Sequence, residues 1–209
     1  MKIAVIGGNG KAGSLIIKEG MERGMDMTAI IRSENKSPAQ KVILKDLFNL
    51  TYADIKDFDV VVTAFGVWKP EEFPQHSSSL MHLCDVISGS SIRLIVVGGA
   101  GNLLLNREKG IRVIDNPDFP KEFKPLATSE VEALEALKKR NDVKWTYISP
   151  ALDFRFDGEK TGKYILSDET FKTNDKGESI LSYSDYAIAL IDEAVEGNNI
   201  QKAISIVGI

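Results

Sequence analysis

The sequence predicts an α/β domain, a doubly wound parallel sheet with helices on both faces. Three observations predict it. Short β-branched runs alternate with helical stretches over most of the 209 residues. Two runs, 59–65 and 92–97, are nearly continuous in apolar residues, as strands covered on both faces are. Glycines or a Ser-Pro step close several runs, where strand must turn sharply into helix.

The elements follow in order. Lys2–Ile6 is a β-branched strand closed by glycines. Ala12, Leu15, Ile16 and Gly20 then form a helical face that runs to Arg23 and stops at Gly24. Met27–Ile31 and Val42–Leu44 are the next strands, ended by Arg32-Ser33 and Lys45-Asp46. Asp59–Phe65 is the fourth strand. Leu80, Leu83, Cys84 and Ile87 make a stripe at i, i+3, i+4, i+7 of a helix. Ile92–Val97 is a strand ended by Gly98-Gly99. Val131, Leu134 and Leu137 mark a helix on which Glu135 and Lys139 are spaced to pair. Val143–Ile148 is a strand ended by Ser149-Pro150. Ser182 and Asp185 form a capping-box pattern before a helix Tyr186–Glu196, and Ala203–Val207 is the last strand. Two stretches break the rhythm, 102–124 and 151–181. Each follows the carboxyl end of a strand, where open α/β sheets bind ligands. The expectation is one domain over 1–209, with 151–181 as a small region covering the substrate.

Composition excludes several classes of function. Hydrophobic residues are 43% and charged residues 27%, as in a globular protein, and the net charge of −4 leaves no electrostatic footprint for nucleic acid. The single cysteine, Cys84, excludes an internal disulfide and argues against a Cys/His metal cluster. No apolar run approaches the ~18 residues of a membrane span. The expectation is a cytoplasmic protein, monomer or homodimer, whose partner is a small molecule and which uses no metal, nucleic acid or membrane.

The strongest chemical signal is Gly7-Gly8-Asn9-Gly10-Lys11-Ala12-Gly13, a Gly-x-x-Gly-x-x-Gly pattern between the first strand and the first helix. Gly7 permits the tight turn, Gly10 lets backbone approach a pyrophosphate, and Gly13 lets the helix pack against the strand. The helix N-terminus offers free N–H groups and partial positive charge to phosphates. A P-loop is excluded, because Gly10-Lys11 is followed by Ala12 instead of Ser or Thr. An acidic residue at the end of the second strand would receive the ribose hydroxyls of NAD. This chain has Arg32 and Ser33 instead, with Lys36 nearby. Arg32 suits a 2′-phosphate, so NADP(H) is favoured over NAD(H).

These blocks resemble the atypical short-chain dehydrogenase/reductase superfamily, in its NAD(P)H-binding branch of NADH-flavin reductases, which is similar to the biliverdin IXβ/flavin reductases. The resemblance rests on residues 2–13, 28–32, 44–47, 60–66, 94–99, 145–150 and 182–187. It implies a Rossmann-like fold. It also implies that Gly7, Asn9, Gly10, Lys11, Ala12 and Gly13 hold the pyrophosphate and that Arg32 meets the 2′-phosphate. Asp46 and Leu47 would contact adenine. Thr63, Ala64, Phe65 and Gly66 would line the ribose and the path to the nicotinamide. Gly98 and Gly99 would lie beside the nicotinamide, and Ser149, Pro150 and Ala151 would meet its carboxamide. The orthodox enzymes of this superfamily place a Tyr-x-x-x-Lys helix after the fifth strand; the corresponding stretch, 124–130, has no tyrosine. The one literal match, Tyr52 to Lys56, lies before the fourth strand, far too early in the chain. Alcohol/ketone chemistry through a tyrosine acid is therefore not expected. Hydride transfer to a free flavin, or to a similar planar acceptor such as a quinone, needs chiefly proximity and orientation. The flavin would be a diffusing substrate, not a prosthetic group.

Catalytic residues are unassigned at this level. Lys124 and Ser129 are the nearest polar groups where the absent tyrosine would lie. Trp68, next to Phe65 and Phe73, and Phe154 with Arg155, next to Phe156, are candidates to hold a planar or anionic substrate, or are packing under loops. His76 and His82 read as surface residues and Cys84 as core. Two other functions remain open: a non-catalytic NADPH-binding sensor, and an epimerase or dehydratase of the same superfamily.

Overall fold

The computed structural model describes residues 1–209. Its main sheet has eight strands: β1 (Lys2–Ile6), β2 (Asp26–Ile31), β3 (Lys41–Leu44), β4 (Val60–Thr63), β5 (Arg93–Val97), β8 (Lys144–Ser149), β10 (Tyr164–Asp168) and β12 (Lys202–Gly208). They lie in the order β10-β12-β8-β5-β4-β1-β2-β3, parallel except for the β10–β12 pair. The helices are α1 (Lys11–Glu22), the single turn α2 (Tyr52–Ile55), α3 (Gln75–Ile87), α4 (Lys124–Leu137) and α5 (Tyr183–Glu196). A hairpin of β6 (Leu104–Asn106) and β7 (Ile111–Arg112), and a parallel pair of β9 (Asp153–Arg155) and β11 (Ile180–Ser182), lie outside the main sheet.

The alternation of side chains along each strand builds two cores, one per face. On β1, Ile3 and Val5 join Ile16 and Ile17 of α1 and Leu190 and Ile191 of α5. Ala4 and Ile6 face the other way, with Leu80, Leu83 and Ile87 of α3 and Leu134 and Leu137 of α4. Each fully buried Ile or Leu contributes about 1.5–3 kcal/mol of transfer free energy. Those layers, more than helix propensity, hold the strand ends in register. The doubly wound α/β architecture matches the expectation from sequence.

Four expectations need correction. Residues 151–181 do not form only a cover, because β10 inside them pairs with β12 from Tyr164↔Gly208 to Asp168↔Ile204 and becomes the sheet edge. The last helix starts at Tyr183, earlier than expected; Ser182 caps it by accepting from the Asp185 N–H at 3.0 Å. The Asp185 carboxylate does not return to that cap and instead accepts from Thr161 and Gly162. Glu135 pairs with Arg112 at 2.6 Å and Lys138 at 3.5 Å, not with Lys139, because the β6–β7 segment brings the guanidinium over α4. His76 and His82 are half-buried; each faces a backbone carbonyl, of Val67 and Leu50 respectively. Burial lowers the pKa of His76.

Candidate functional site

Parallel strands end at one edge of the sheet, so Gly7, Arg32, Asp46, Ala64, Gly98 and Pro150 all emerge there. From β1 the chain winds outward through β2 and β3, then returns to β4 on the other side. The crevice between β1 and β4 is the switch point where such sheets take ligands. Gly7 sits at its base with φ +76, and a Cβ there would lie 2.7 Å from the Ala64 carbonyl oxygen. Any side chain at Gly7 would be strained and would part the two strands.

The turn is drawn tight by a Gly10 N–H donating to the Gly7 carbonyl at 2.8 Å. Helix α1 starts immediately afterwards, with Gly10 as N-cap, no side-chain cap and no acidic residue in the first turn. The N–H groups of Lys11, Ala12 and Gly13 have no preceding helical carbonyl to meet. A Cβ on Gly13 would strike the Gly7 carbonyl and come within 3.1 Å of the Gly8 Cα. A Cβ on Gly10 would meet only the Gly7 oxygen, at 3.1 Å. Gly13 is thus glycine for packing, whereas Gly10 leaves open the face above the amides. Bare amides, an uncapped helix start and space above them fit a diphosphate.

Asn9 departs from its expected part. Its Nδ2 donates to the Glu34 carbonyl at 2.8 Å, and its Oδ1 accepts from the Lys36 N–H at 2.8 Å. The side chain ties the glycine turn to the segment after β2, leaving only its backbone for phosphate. Arg32 stands in that segment with 76% of its side chain exposed, and Nη1 is 4.0 Å from Asp46. Asp46 itself caps a turn by accepting from the Phe48 N–H at 2.9 Å. Leu47 is buried under that turn.

Further along the edge, Thr63 is buried, Ala64 and Phe65 are half-buried, and Gly66 is open. Phe65 meets His76 edge-on at 6.2 Å between centroids. Trp68 is 75% exposed and free of the core. Ser149, Pro150 and Ala151 are buried at the end of β8. Phe154 stacks on Tyr183 at 3.8 Å and lies 5.1 Å from Tyr186, so it packs rather than projects. Arg155 is held by Asp153. Phe156 lies under the Lys11 ammonium, 4.8 Å from ring centre to Nζ, which joins the 151–181 segment to the glycine turn.

The two glycines after β5 have occupants of their own. A Cβ on Gly98 would strike the Tyr147 ring, and one on Gly99 would lie 2.7 Å from the Glu130 Cδ. The Tyr147 hydroxyl accepts from Asn102 Nδ2 at 2.8 Å and from the Gly99 N–H at 3.3 Å. Burial raises the Tyr147 pKa far above that of a free phenol. The absence of side chains at 98 and 99 is therefore required by the protein's own packing.

The two candidates on α4, Ser129 and Lys124, have different settings. Ser129 is buried and its hydroxyl donates to the Leu126 carbonyl within the same helix at 2.7 Å. Lys124 is exposed at the start of α4. The next residue, Glu130, is the one that reaches the β5 turn. The sequence carried a signal for it: Glu130 stands on the stripe of Ala127, Leu134 and Leu137, where an apolar residue is expected.

A cavity of about 710 Å³ lies at the opposite end of the sheet, near Trp145 and Lys202. Two of its three cations are matched, Lys138 with Glu169 and Arg107 with Asp168, each at 2.7 Å, and Lys202 makes no ion pair. It lies at the amino ends of β8 and β12, away from the glycine turn at the carboxyl edge.

A sheet of this order with a glycine turn at its switch point defines a dinucleotide-binding protein of Rossmann-like fold. The chain belongs to the NAD(P)H-binding family, whose pattern its residues 7–194 match. It is 42% identical over 195 residues to the uncharacterized protein YwnB of Bacillus subtilis (strain 168), covering 92% of each chain. Among solved structures it is similar to a "putative NADH-flavin reductase" from Streptococcus pneumoniae TIGR4, at 49% identity and TM-score 0.98 over 100% of both chains. It is also similar to a "putative epimerase" from Bacteroides thetaiotaomicron, at 30% identity and TM-score 0.87 over 100% of this chain and 97% of the other. No helix is long and apolar enough to cross a membrane.

Proposed function

We propose that this protein is an NADPH-dependent reductase that passes hydride to a free flavin or a similar planar acceptor such as a quinone. The observation that carries the reading is the uncapped first turn of α1, held open at the β1/β4 crevice. Bound there, the cofactor supplies a hydride from its nicotinamide ring. The amides of residues 11–13 grip the diphosphate, and Gly10 keeps their face clear. Ala64, Phe65 and Gly66 border the next strand end, and exposed Trp68 offers an aromatic face to a planar ring. Helix α4 contains no tyrosine, so the site is not arranged for a phenol acid on that helix. Orientation of two rings is what the remaining geometry supplies.

Purified protein is expected to oxidise NADPH when riboflavin, FMN or a quinone is added. Tight NADPH binding without turnover on any acceptor would overturn the reductase and favour a sensor.

The preference for NADPH rests on Arg32 and on the lack of an acid at the end of β2. Arg32→Ala is expected to weaken NADPH by roughly 1–3 kcal/mol, since a charge-assisted contact to phosphate is lost. NADH affinity should move little. Calorimetric titration of both cofactors checks this, and an equal loss for both would remove the assignment.

A further inference from the structure

Glu130 is an acid in a place that ordinary packing does not explain. It projects from α4 on the stripe of buried positions, and its carboxyl lies against the Cα of Gly99 at the carboxyl end of β5. No hydrogen bond or ion pair in the chain reaches it, although its neighbours Arg112 and Glu135 on this side of the sheet pair with each other at 2.6 Å. Glu130 is half-buried, and a glutamine would fill the same space without placing an acid that has no protein partner against the β5 turn.

The charged and polar groups around it face other partners, and the one buried cationic nitrogen without a partner, Nη1 of Arg112, makes no bond to it either. Tyr147, from β8, accepts from Asn102 and Gly99. Arg112 bonds Glu135, and Asp115 accepts from the Arg112 backbone N–H. On α3, which packs against α4, His76 and His82 face backbone carbonyls, Asp85 pairs with Arg140, and Cys84 is a buried thiol pushed up to about 12. Lys124, on the same helix, is exposed. None of them gives Glu130 a counter-ion, and burial alone pushes its carboxyl up to about 7.

We infer that Glu130 is the proton donor of the reaction, an acid on α4 whose carboxyl stands at the end of β5 where the acceptor is reduced. This rests on the reductase reading above. In the step, the O–H bond of the Glu130 carboxyl breaks and its electron pair stays on the carboxylate. The proton forms a bond to the nitrogen or oxygen of the acceptor that became basic when the acceptor took two electrons with the hydride. The reduced acceptor leaves neutral, and water returns a proton to Glu130. Proton transfer from a positioned group is worth typically 10²–10⁴-fold in rate.

The test compares wild type, Glu130→Gln and Glu130→Ala with NADPH and riboflavin from pH 5.5 to 8.5. In the wild type, kcat/KM for riboflavin should fall as pH rises through about 7, where the acid is lost. Glu130→Gln should lose roughly 100-fold at pH 6 and become flat with pH, with NADPH affinity within twofold of wild type. Formate should restore part of the rate of Glu130→Ala, whose cavity admits a small acid. A second readout needs no turnover. A carboxyl raised in the folded state stabilises fully below its ordinary 4.5, and that stability is lost as pH rises towards about 7. The melting temperature of the cofactor-free wild type should therefore fall relative to Glu130→Gln across that window. Riboflavin reduction by Glu130→Gln within twofold of wild type at pH 6, no rescue by formate, or parallel melting curves would each overturn the proposal. A wild type that binds NADPH but reduces no acceptor would instead overturn the reading beneath it.

Discussion

Gly13→Ala should cost this protein both stability and its cofactor. Alanine is the better helix former by about 1 kcal/mol, which by itself predicts a more stable α1. The added Cβ, however, would strike the Gly7 carbonyl and approach the Gly7 carbonyl carbon at 3.0 Å and the Gly8 Cα at 3.1 Å. Those neighbours are backbone in the turn that ends β1, so no rotamer change relieves the overlap. Overpacking of this kind costs roughly 1–3 kcal/mol, and the clash wins over the propensity. At about 2–4 °C per kcal/mol for a chain of this size, the melting temperature should fall by several degrees. The relief available is a shift of α1 away from β1, which moves the amides of residues 11–13 off the diphosphate. NADPH affinity should fall at least tenfold. Gly10→Val separates the two effects. Gly10 has φ −74 and ψ 164, which any residue adopts, and only one atom lies near its missing Cβ. That variant should melt close to wild type and still fail to bind NADPH. Normal NADPH binding by both variants, measured by calorimetry, would remove the glycine turn from the site.

The parts of this molecule that were legible in its sequence are those set by local pattern. The runs that became β1, β2, β4, β5, β8 and β12 are apolar on both faces because helices cover both, and that composition is visible without knowing the partners. The glycine turn was legible for the same reason: a strand, a Gly-x-x-Gly-x-x-Gly and a helix are contiguous. What escaped depended on contacts between distant segments. The strand Tyr164–Asp168 mixes polar and apolar residues and gains its identity only from antiparallel pairing with β12. Glu135 looked paired along its own helix, but Arg112 arrives from the β6–β7 segment. Asn9 lies in a phosphate-binding pattern, yet its side chain is spent on residues 34 and 36. Glu130 is hard to read from sequence because an acid in a helix looks like a solvated face unless the stripe it interrupts is counted.

Asp185 is another such long-range contact, holding the loop that follows Phe156. It sits in the first turn of α5, only 2% exposed. Its carboxylate accepts from the Thr161 N–H at 3.0 Å, the Thr161 hydroxyl at 2.9 Å and the Gly162 N–H at 2.8 Å. Gly162 has φ +74, so the chain turns back sharply over the carboxylate. The next tie of this segment is Lys160 to Glu19 of α1, at 2.8 Å, with the lysine half exposed. Glu19 is buried but keeps Arg23 at 2.7 Å as a second partner, so losing the half-exposed lysine costs about 1 kcal/mol or less, whereas hydrogen bonds to a buried carboxylate are worth about 1.5–3 kcal/mol each and do not add fully. Asp185→Ala should therefore destabilise the protein by roughly 3 kcal/mol, because two backbone N–H groups and a hydroxyl are left without an acceptor. Asp185→Asn keeps one acceptor oxygen and should lose less. The damage should concentrate in 157–163, which limited proteolysis would detect as faster cleavage there. Phe156, anchored over Lys11 just before this loop, should loosen with it, so acceptor KM should rise more than the Kd for NADPH. Lys160→Ala serves as the contrast and should leave both melting and cleavage near wild type. Asp185→Ala behaving like Lys160→Ala would mean that the 151–181 segment is held by its packing on β12 and α5, and that this carboxylate is not its clasp.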